Sequence, residues 1–245
     1  MSGALTATML GRAAIAPGVV DLTFSMRSPS RLEFRAGQFV SIAVEPDRTF
    51  AGTSAPIARR SYSIASPSDK GEMLRFIIRV IPDGAASDYL MSLPLGAAVR
   101  MTGPHGFFVL DAAHPGDIVF GATGTGVSAV MPMLRELSMS SPPPLNQARL
   151  YWGVRYEHDL FALQEIEDLC REARCALQVF LSSPSPNWKG GRGRITPALL
   201  SDYPHLKSPT FYLVGNGSMI SELKRELVAR GVNRKKQIRT EAFFD

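Results

Sequence analysis

The stretch Arg60-Ser61-Tyr62-Ser63-Ile64-Ala65-Ser66 alternates a cation, an aromatic ring and hydroxyl groups, as a β-strand with two different faces does. Successive side chains of a strand point to opposite faces, so Arg60 and Tyr62 are expected on one face and Ser61 and Ser63 on the other. A guanidinium fork matches the oxygens of a diphosphate, and a tyrosine ring can lie on a flat heterocycle. For this stretch alone, an ordinary edge strand with an exposed arginine is an equally good interpretation.

A second candidate anion site follows at Gly84-Ala85-Ala86-Ser87, which leads into a predicted helical turn at 88–91. The start of a helix offers backbone N–H groups without intrahelical partners, and the helix dipole favours negative charge there. The alternative is that Ser87 is a plain N-cap and that Asp88 satisfies the dipole. Both interpretations stay open at this point.

Residues 5 to about 110 consist of short apolar runs separated by turn residues. Strands are predicted at 19–26, 34–44 and 73–81. Many short strands without intervening long helices predict a small antiparallel barrel or sandwich. His105 lies in a predicted turn and has no neighbouring partners for a metal, so we expect a surface histidine there.

The pattern changes after Asp111, where strands and helices begin to alternate as in a parallel α/β sheet. A buried strand at 118–120 runs into Gly121-Ala122-Thr123-Gly124-Thr125-Gly126, and an amphipathic helix follows. This layout lets backbone approach a pyrophosphate, and Gly124-x-Gly126-x-x-Ala129 formally fits the dinucleotide-binding fingerprint. The acidic residue that the fingerprint places about 20 residues later is missing.

Composition excludes several classes of protein. The 245 residues are 45% hydrophobic and 20% charged, which is typical of a soluble globular protein. No apolar run reaches the roughly 20 residues of a membrane span, and no signal peptide is expected. Cys170 and Cys175 are too few for a four-cysteine cluster, so we expect reduced thiols in a cytoplasmic protein. A net charge of +5 suits an acidic partner but is too diffuse to indicate nucleic acid.

Taken in order, these motifs resemble the ferredoxin–NADP reductase superfamily, whose members are flavoenzymes with an FAD-binding barrel followed by a nucleotide-binding α/β domain. Arg60-x-Tyr62-Ser63 matches the family's R-x-Y-[ST], and Gly84-x-x-Ser87 matches its G-x-x-[ST]. The resemblance implies an FAD-binding β-barrel domain over 1–112 and an NAD(P)-binding α/β domain over 113–245 that ends in a flavin-covering tail. Two departures are Ala129, where a proline is usual, and Val214, where a cysteine is usual.

The resemblance also implies the site residues, and it implies no metal. Ser63 is expected to form a hydrogen bond toward flavin N5, Glu241 to assist proton movement there, and Phe243 or Phe244 to stack on the flavin. The implied FAD site comprises Arg60, Ser61, Tyr62, Ser63, Arg79, Val80, Gly84, Ala86, Ser87, Thr125, Phe243 and Phe244. The implied NAD(P)H site comprises Gly124, Thr125, Gly126, Arg155, Ser182, Arg192, Arg194, Gly215 and Met219.

The implied activity is electron transfer between NAD(P)H and a ferredoxin, a flavodoxin or an oxygenase, through bound FAD. The cations at 155, 192 and 194 favour NADPH as coenzyme, whereas the Trp188-x-Gly190-x-x-Gly193 loop resembles reductases that use NADH. Three alternatives remain: an FAD-holding electron-transfer subunit of a larger complex, a non-catalytic flavin-binding module, and a flavin-dependent ferric-siderophore reductase.

Overall fold

The computed structural model describes residues 3–44, 58–111, 115–140 and 147–243. Within these ranges the chain forms two six-stranded sheets, one antiparallel and one parallel. The antiparallel strands are β1 (Gly3–Ala16), β2 (Val19–Ser28), β3 (Phe39–Val44), β4 (Ala58–Ser63), β5 (Met73–Arg79) and β6 (Ala98–His105). The parallel strands are β7 (Ile118–Thr123), β8 (Ala148–Val154), β9 (Cys175–Leu181), β10 (Gly191–Arg192), β11 (Thr210–Asn216) and β12 (Ile238–Phe243).

The antiparallel sheet has the order β4-β3-β6-β1-β2-β5 and curls into the predicted barrel. Alternation of apolar and polar residues gives the sheet one buried face. In β2, for example, Val20, Leu22, Phe24 and Met26 are buried while the residues between them are only partly buried. Just beyond β4, the Ala65 N–H donates to the Arg75 carbonyl of β5 at 2.8 Å, which joins the two ends of the sheet.

The parallel sheet has the order β10-β9-β8-β7-β11-β12 and is packed against helices. The helices of the chain are α1 (Ala85–Ser92), α2 (Val127–Ser138), α3 (Leu163–Glu172), α4 (Ile195–Asp202), α5 (Gly217–Ala229) and α6 (Arg234–Gln237). A 3₁₀ turn at Gly124–Gly126 precedes α2. Pro132 lies inside this helix.

Several strand predictions need correction. β1 and β2 have 14 and 10 residues and are therefore longer than the short strands expected. The strand predicted at 34–44 begins only at Phe39, because Gly37 adopts a φ of +93° that ends regular pairing. Residues 238–243 form an edge strand parallel to β11, with Glu241 opposite Val214, and no strand was predicted there.

One apolar core runs across the boundary between the two sheets. The buried face of α2 packs with Val19, Ala36 and Phe108 of the barrel part. Phe108 meets Tyr212 of β11 edge to face at 5.9 Å, and the Tyr212 hydroxyl accepts a hydrogen bond from the Asp111 N–H at 2.9 Å. Among the described residues, no helix is long and apolar enough to cross a membrane. The predicted boundary at 112/113 lies outside those residues.

Candidate functional site

Arg60 and Tyr62 lie on β4, which is at one edge of the antiparallel sheet and pairs with β3. The Arg60 guanidinium is exposed, and the hydrogen bond described for it is a local one to the Arg59 carbonyl at 2.9 Å. Burial raises the pKa of Tyr62 to about 12, and the nearby positive charge of Arg60 acts in the opposite sense. That electrostatic contact supports the predicted common face, which offers one cation and one ring to a ligand.

Ser63 and Glu241 bring the two domains into direct contact at the end of β4. The Ser63 hydroxyl donates to Oε1 of Glu241, although the two residues are 178 positions apart in the chain. Burial raises the pKa of the Glu241 carboxyl, and the hydrogen bond from Ser63 partly opposes this shift. A half-buried carboxyl with a raised pKa keeps its proton to a higher pH than a solvated one does, which suits the role predicted for it.

The start of α1 contradicts the interpretation of Ser87 as a plain N-cap, whereas the anion site stays a prediction. The N-cap position is Gly84, and no side chain caps this end. Ser87 lies inside the first turn, is only 5% exposed, and accepts a hydrogen bond from the Ile81 N–H at 2.8 Å. It therefore holds the preceding turn while the first N–H groups of the helix, including that of Ala86, stay available to an anion.

Glycine is required at 84, because a Cβ there would lie 2.9 Å from the Ile81 carbonyl oxygen. Val80 is half-buried, and its N–H donates to the Gly18 carbonyl at 2.8 Å, so it shapes the same turn through its backbone. The donor set of Arg60, the α1 start and the Tyr62 ring fits a flavin dinucleotide, since it combines phosphate-binding groups with a flat ring.

A cavity of about 340 Å³ lies between the two domains. Val19 and the exposed Arg79, which is predicted for the FAD site, line it from the barrel. Six of the predicted NAD(P)H residues also line this cavity: Gly124, Thr125, Arg155, Ser182, Arg194 and Met219. The Trp152 indole donates to the Gly124 carbonyl at 3.0 Å and fixes the turn.

The other three predicted coenzyme residues do not line the cavity. Arg192 is exposed, and its guanidinium donates to the carbonyls of Ser185, Pro186 and Trp188 and so braces its own loop. Gly126 and Gly215 act through backbone packing instead. A Cβ at Gly126 would lie 2.9 Å from the Val214 carbonyl oxygen, and Gly215 adopts a φ of +114° against Thr123.

The structure adds cavity residues that the sequence analysis missed. Thr123 accepts a hydrogen bond from the Asn216 N–H at 2.8 Å, and the Asn216 side chain caps α5 by accepting from the Met219 N–H at 3.0 Å. An asparagine directly before a helix was the available signal. Asp159 also lines the cavity, and its carboxylate accepts the Tyr156 N–H at 3.0 Å.

The end of β12 is only partly described. Phe243 is half-buried and packs against the core cluster of α2, whereas Phe244 lies outside the described residues. Val214 of β11 is fully buried and pairs with Ala122 of β7 on one side and with Glu241 of β12 on the other. Its apolar side chain occupies the position at which the resemblance predicts a cysteine thiol. Among the residues placed by the structure, no group of three or more acidic, histidine or cysteine side chains could hold a metal.

Comparison with known proteins gives two family models. Residues 7–110 match the oxidoreductase FAD-binding domain, and residues 120–225 match the oxidoreductase NAD-binding domain. Ferredoxin–NADP reductase B of Sorangium cellulosum is 32% identical over 224 residues, which are 89% of this chain and 87% of that protein.

Other relatives are longer than this chain. Methane monooxygenase component C of Methylosinus trichosporium is 37% identical over 154 residues, but these are 62% of this chain and 42% of that protein. The crystal structure of the Amycolatopsis cytochrome P450 reductase superposes with a TM-score of 0.82 at 27% identity, covering 99% of this chain and 70% of the other. The two-domain architecture is therefore shared along the whole chain.

Proposed function

This chain belongs to the ferredoxin–NADP reductase superfamily, and we propose that it oxidises NAD(P)H and passes the electrons through bound FAD to a separate one-electron carrier. The observation that carries the proposal is the shared cavity. The Gly124–Thr125 turn of one domain and Arg79 of the other line this cavity, and the two domains also meet at the hydrogen bond from Ser63 to Glu241. Such a junction lets a nicotinamide approach a ring held on the barrel.

FAD supplies the redox chemistry when bound, because it accepts a hydride as an electron pair and can release electrons one at a time. The chain supplies binding, orientation and exclusion of water. Arg60 and the start of α1 hold the diphosphate, and Tyr62 supports the ring system. Ser63 fixes the Glu241 carboxyl, which stores a proton at the domain junction. Phe243 is the last residue of β12, and its side chain packs against the apolar core around α2.

NADPH is the proposed coenzyme. Arg155 and Arg194 are exposed at the cavity beside the Ser182 hydroxyl, which provides two cations and a hydroxyl for a 2′-phosphate. Asp159 also lines the cavity, where one of its carboxylate oxygens accepts the Tyr156 N–H. NADH remains the alternative.

The coenzyme assignment is tested by the R155Q/R194Q double variant. Loss of charge-assisted phosphate contacts should raise KM for NADPH about ten- to a hundredfold and leave KM for NADH nearly unchanged. R171Q removes a cation from the surface of α3 and serves as the matched control. Equal losses with both coenzymes would contradict the assignment.

The acceptor is a ferredoxin, a flavodoxin or an oxygenase component, and the cytoplasmic location belongs to the same proposal. The second candidate is an FAD-holding electron-transfer subunit or module without turnover of its own, which Val214 at the usual cysteine position favours. Reduction of ferricyanide by the isolated protein with NADPH distinguishes the two. Turnover supports the reductase, and flavin binding without turnover supports the subunit.

A further inference from the structure

Tyr156 follows Arg155 directly after β8 and is half-buried, whereas Arg155 is exposed and lines the cavity between the domains. The central carbon of the Arg155 guanidinium lies over the Tyr156 ring, 5.0 Å from its centre. A guanidinium is attracted to the face of an aromatic ring at this distance, and its plane can stack there. Tyr156 therefore supports the Arg155 cation, although Tyr156 itself is not part of the cavity lining.

The Tyr156 ring is itself held in place. It stacks on the His158 ring, with the ring centroids 5.0 Å apart and an angle of 23° between the planes. The Tyr156 N–H donates to Oδ2 of Asp159 at 3.0 Å, and the Asp159 N–H donates to the Tyr156 carbonyl at 3.1 Å. These reciprocal bonds cap the 3₁₀ turn at Glu157–Asp159, so the ring is a fixed support for its neighbour.

The backbone of Arg155 is tied to the loop that follows β9. The Ser182 N–H donates to the Val154 carbonyl at 3.1 Å, and the Ser183 N–H donates to the Arg155 carbonyl at 2.9 Å. Arg155 is thereby fixed next to Ser182, which lines the same cavity. The freedom that remains is that of the long Arg155 side chain, whose rotamer entropy opposes binding unless the guanidinium is already held.

The Arg155 guanidinium is available to an anion. Within the ranges that the structure describes it makes no hydrogen bond and no ion pair, in contrast to Arg192, whose guanidinium binds three carbonyls. Stacking on a ring uses the face of a guanidinium and leaves the N–H donors along its edge free. The charged groups that line the cavity are Arg79, Arg155, Arg194 and Asp159, so cations prevail there.

We propose that Tyr156 is a positioning residue for coenzyme selection, because its ring holds the Arg155 guanidinium ready for the 2′-phosphate of NADPH. This inference rests on the proposed function and adds a residue that sets its coenzyme preference. NADH lacks the 2′-phosphate, so a guanidinium held in this way favours NADPH alone.

The test measures binding to the FAD-loaded protein by calorimetry with adenosine 2′,5′-bisphosphate and with adenosine 5′-monophosphate, which differ only in the 2′-phosphate. Y156L removes the ring and should weaken binding of the bisphosphate about two- to thirtyfold, the range expected for a cation–π contact. Binding of the monophosphate should change less than about twofold. Y156F keeps the ring and should bind both ligands as wild type does.

A double variant separates positioning from a general structural effect. In the R155Q background the ring has no guanidinium to hold, so Y156L should cause no further loss of bisphosphate binding. In turnover, Y156L should raise KM for NADPH and leave kcat and KM for NADH nearly unchanged. Y203L is the matched control, since Tyr203 is also half-buried but packs on Phe211 outside the cavity. Y156Q is a second ringless variant in case Y156L does not fold.

Three results overturn the inference: ringless variants that bind the bisphosphate as wild type does, an equal loss with both ligands, and a loss that persists undiminished in the R155Q background. Wild-type protein that binds the bisphosphate no more tightly than the monophosphate would overturn both this inference and the NADPH assignment. If the preference depends on Tyr156 although NADPH does not reduce the flavin, the proposed function fails and the role of Tyr156 stands.

Discussion

Arg60 is the residue on which FAD binding depends most in this account. Its guanidinium is exposed and makes only a local hydrogen bond among the described contacts, so removing it should not disturb the fold. R60A should bind FAD about ten- to a hundredfold more weakly, the loss expected for charge-assisted contacts. The measurement is the ratio of flavin to protein after dialysis. R59A, one position earlier on the strand, should keep its flavin, and equal retention by both variants would sink the assignment.

Glu241 makes stability depend on pH in a definite direction. Burial raises the folded-state pKa of this carboxyl above its ordinary value of 4.5. As the pH rises above 4.5, the carboxyl loses its proton in the unfolded chain before it does so in the folded protein. The contribution of Glu241 to the free energy of unfolding therefore falls until the pH passes the raised folded-state pKa. E241Q should remove this decline while keeping an acceptor for Ser63. Urea unfolding of both proteins over a pH series checks it, and parallel curves would contradict it.

Single residues show where sequence reasoning succeeds and where it stops. The alternation around Arg60 and Tyr62 was enough to predict that both lie on one face of a strand, because strand geometry fixes which side chains share a face. The bracing role of Arg192 was not predictable, because the three carbonyls that bind its guanidinium come together only when the 184–193 loop folds. Asp159 was missed because its position in the cavity depends on the turn that follows β8.

At the scale of elements, the start of α1 depends on the Ser87 hydroxyl. S87A would leave the Ile81 N–H without its described partner in a buried turn, which costs about 1–3 kcal/mol. The N–H groups that we propose to bind the diphosphate would shift with the turn, so FAD affinity should fall as well. Thermal and urea unfolding with and without FAD measure both effects.

S92A is the control at the other end of the same helix, since Ser92 is exposed and bonds only locally to the Tyr89 carbonyl. It should change the free energy of unfolding by less than about 0.5 kcal/mol. If S87A were as mild as S92A, the account of this turn would be wrong.

Element type was more predictable than element extent. Period-two and helical patterns gave the antiparallel and parallel halves correctly, because each pattern reports one buried face. The length of β1 and the strand character of β12 were not evident, since both depend on pairing with strands far along the chain. Likewise, Ser87 was weighed as a cap because sequence does not show where the helix begins.

At the scale of the molecule, an ion cluster joins the two domains on the side of β5. Arg75 contacts Asp21 at 2.8 Å within the barrel and Glu165 of α3 at 2.6 Å across the boundary. E165Q should lower the free energy of unfolding by only about 0.2–1 kcal/mol, because Glu165 is partly solvated. High salt should remove this difference between E165Q and the wild-type protein. R75Q should cost more, about 1.5–3 kcal/mol, since Asp21 would lose its cation. Salt-dependent unfolding of both variants checks the order, and the reverse order would contradict it.

Residue patterns predicted the two domains, but their relative placement came only from the structure. The cross-boundary contacts of Phe108 with Tyr212 and of Ser63 with Glu241 link residues more than 100 positions apart. A single sequence carries no periodic signal for such pairs, although Ser63 and Glu241 were each named as candidate site residues. The shared cavity is therefore a property of the whole molecule.

The central claim is tested most directly by the visible spectrum of the purified protein during anaerobic addition of NADPH and, separately, of NADH. The account predicts a bound flavin whose absorbance bleaches within the mixing time of a manual experiment, and faster with NADPH. A flavin band that neither coenzyme bleaches would contradict the reductase and favour the flavin-holding subunit. Protein that neither contains flavin nor binds added FAD would contradict the account at its base.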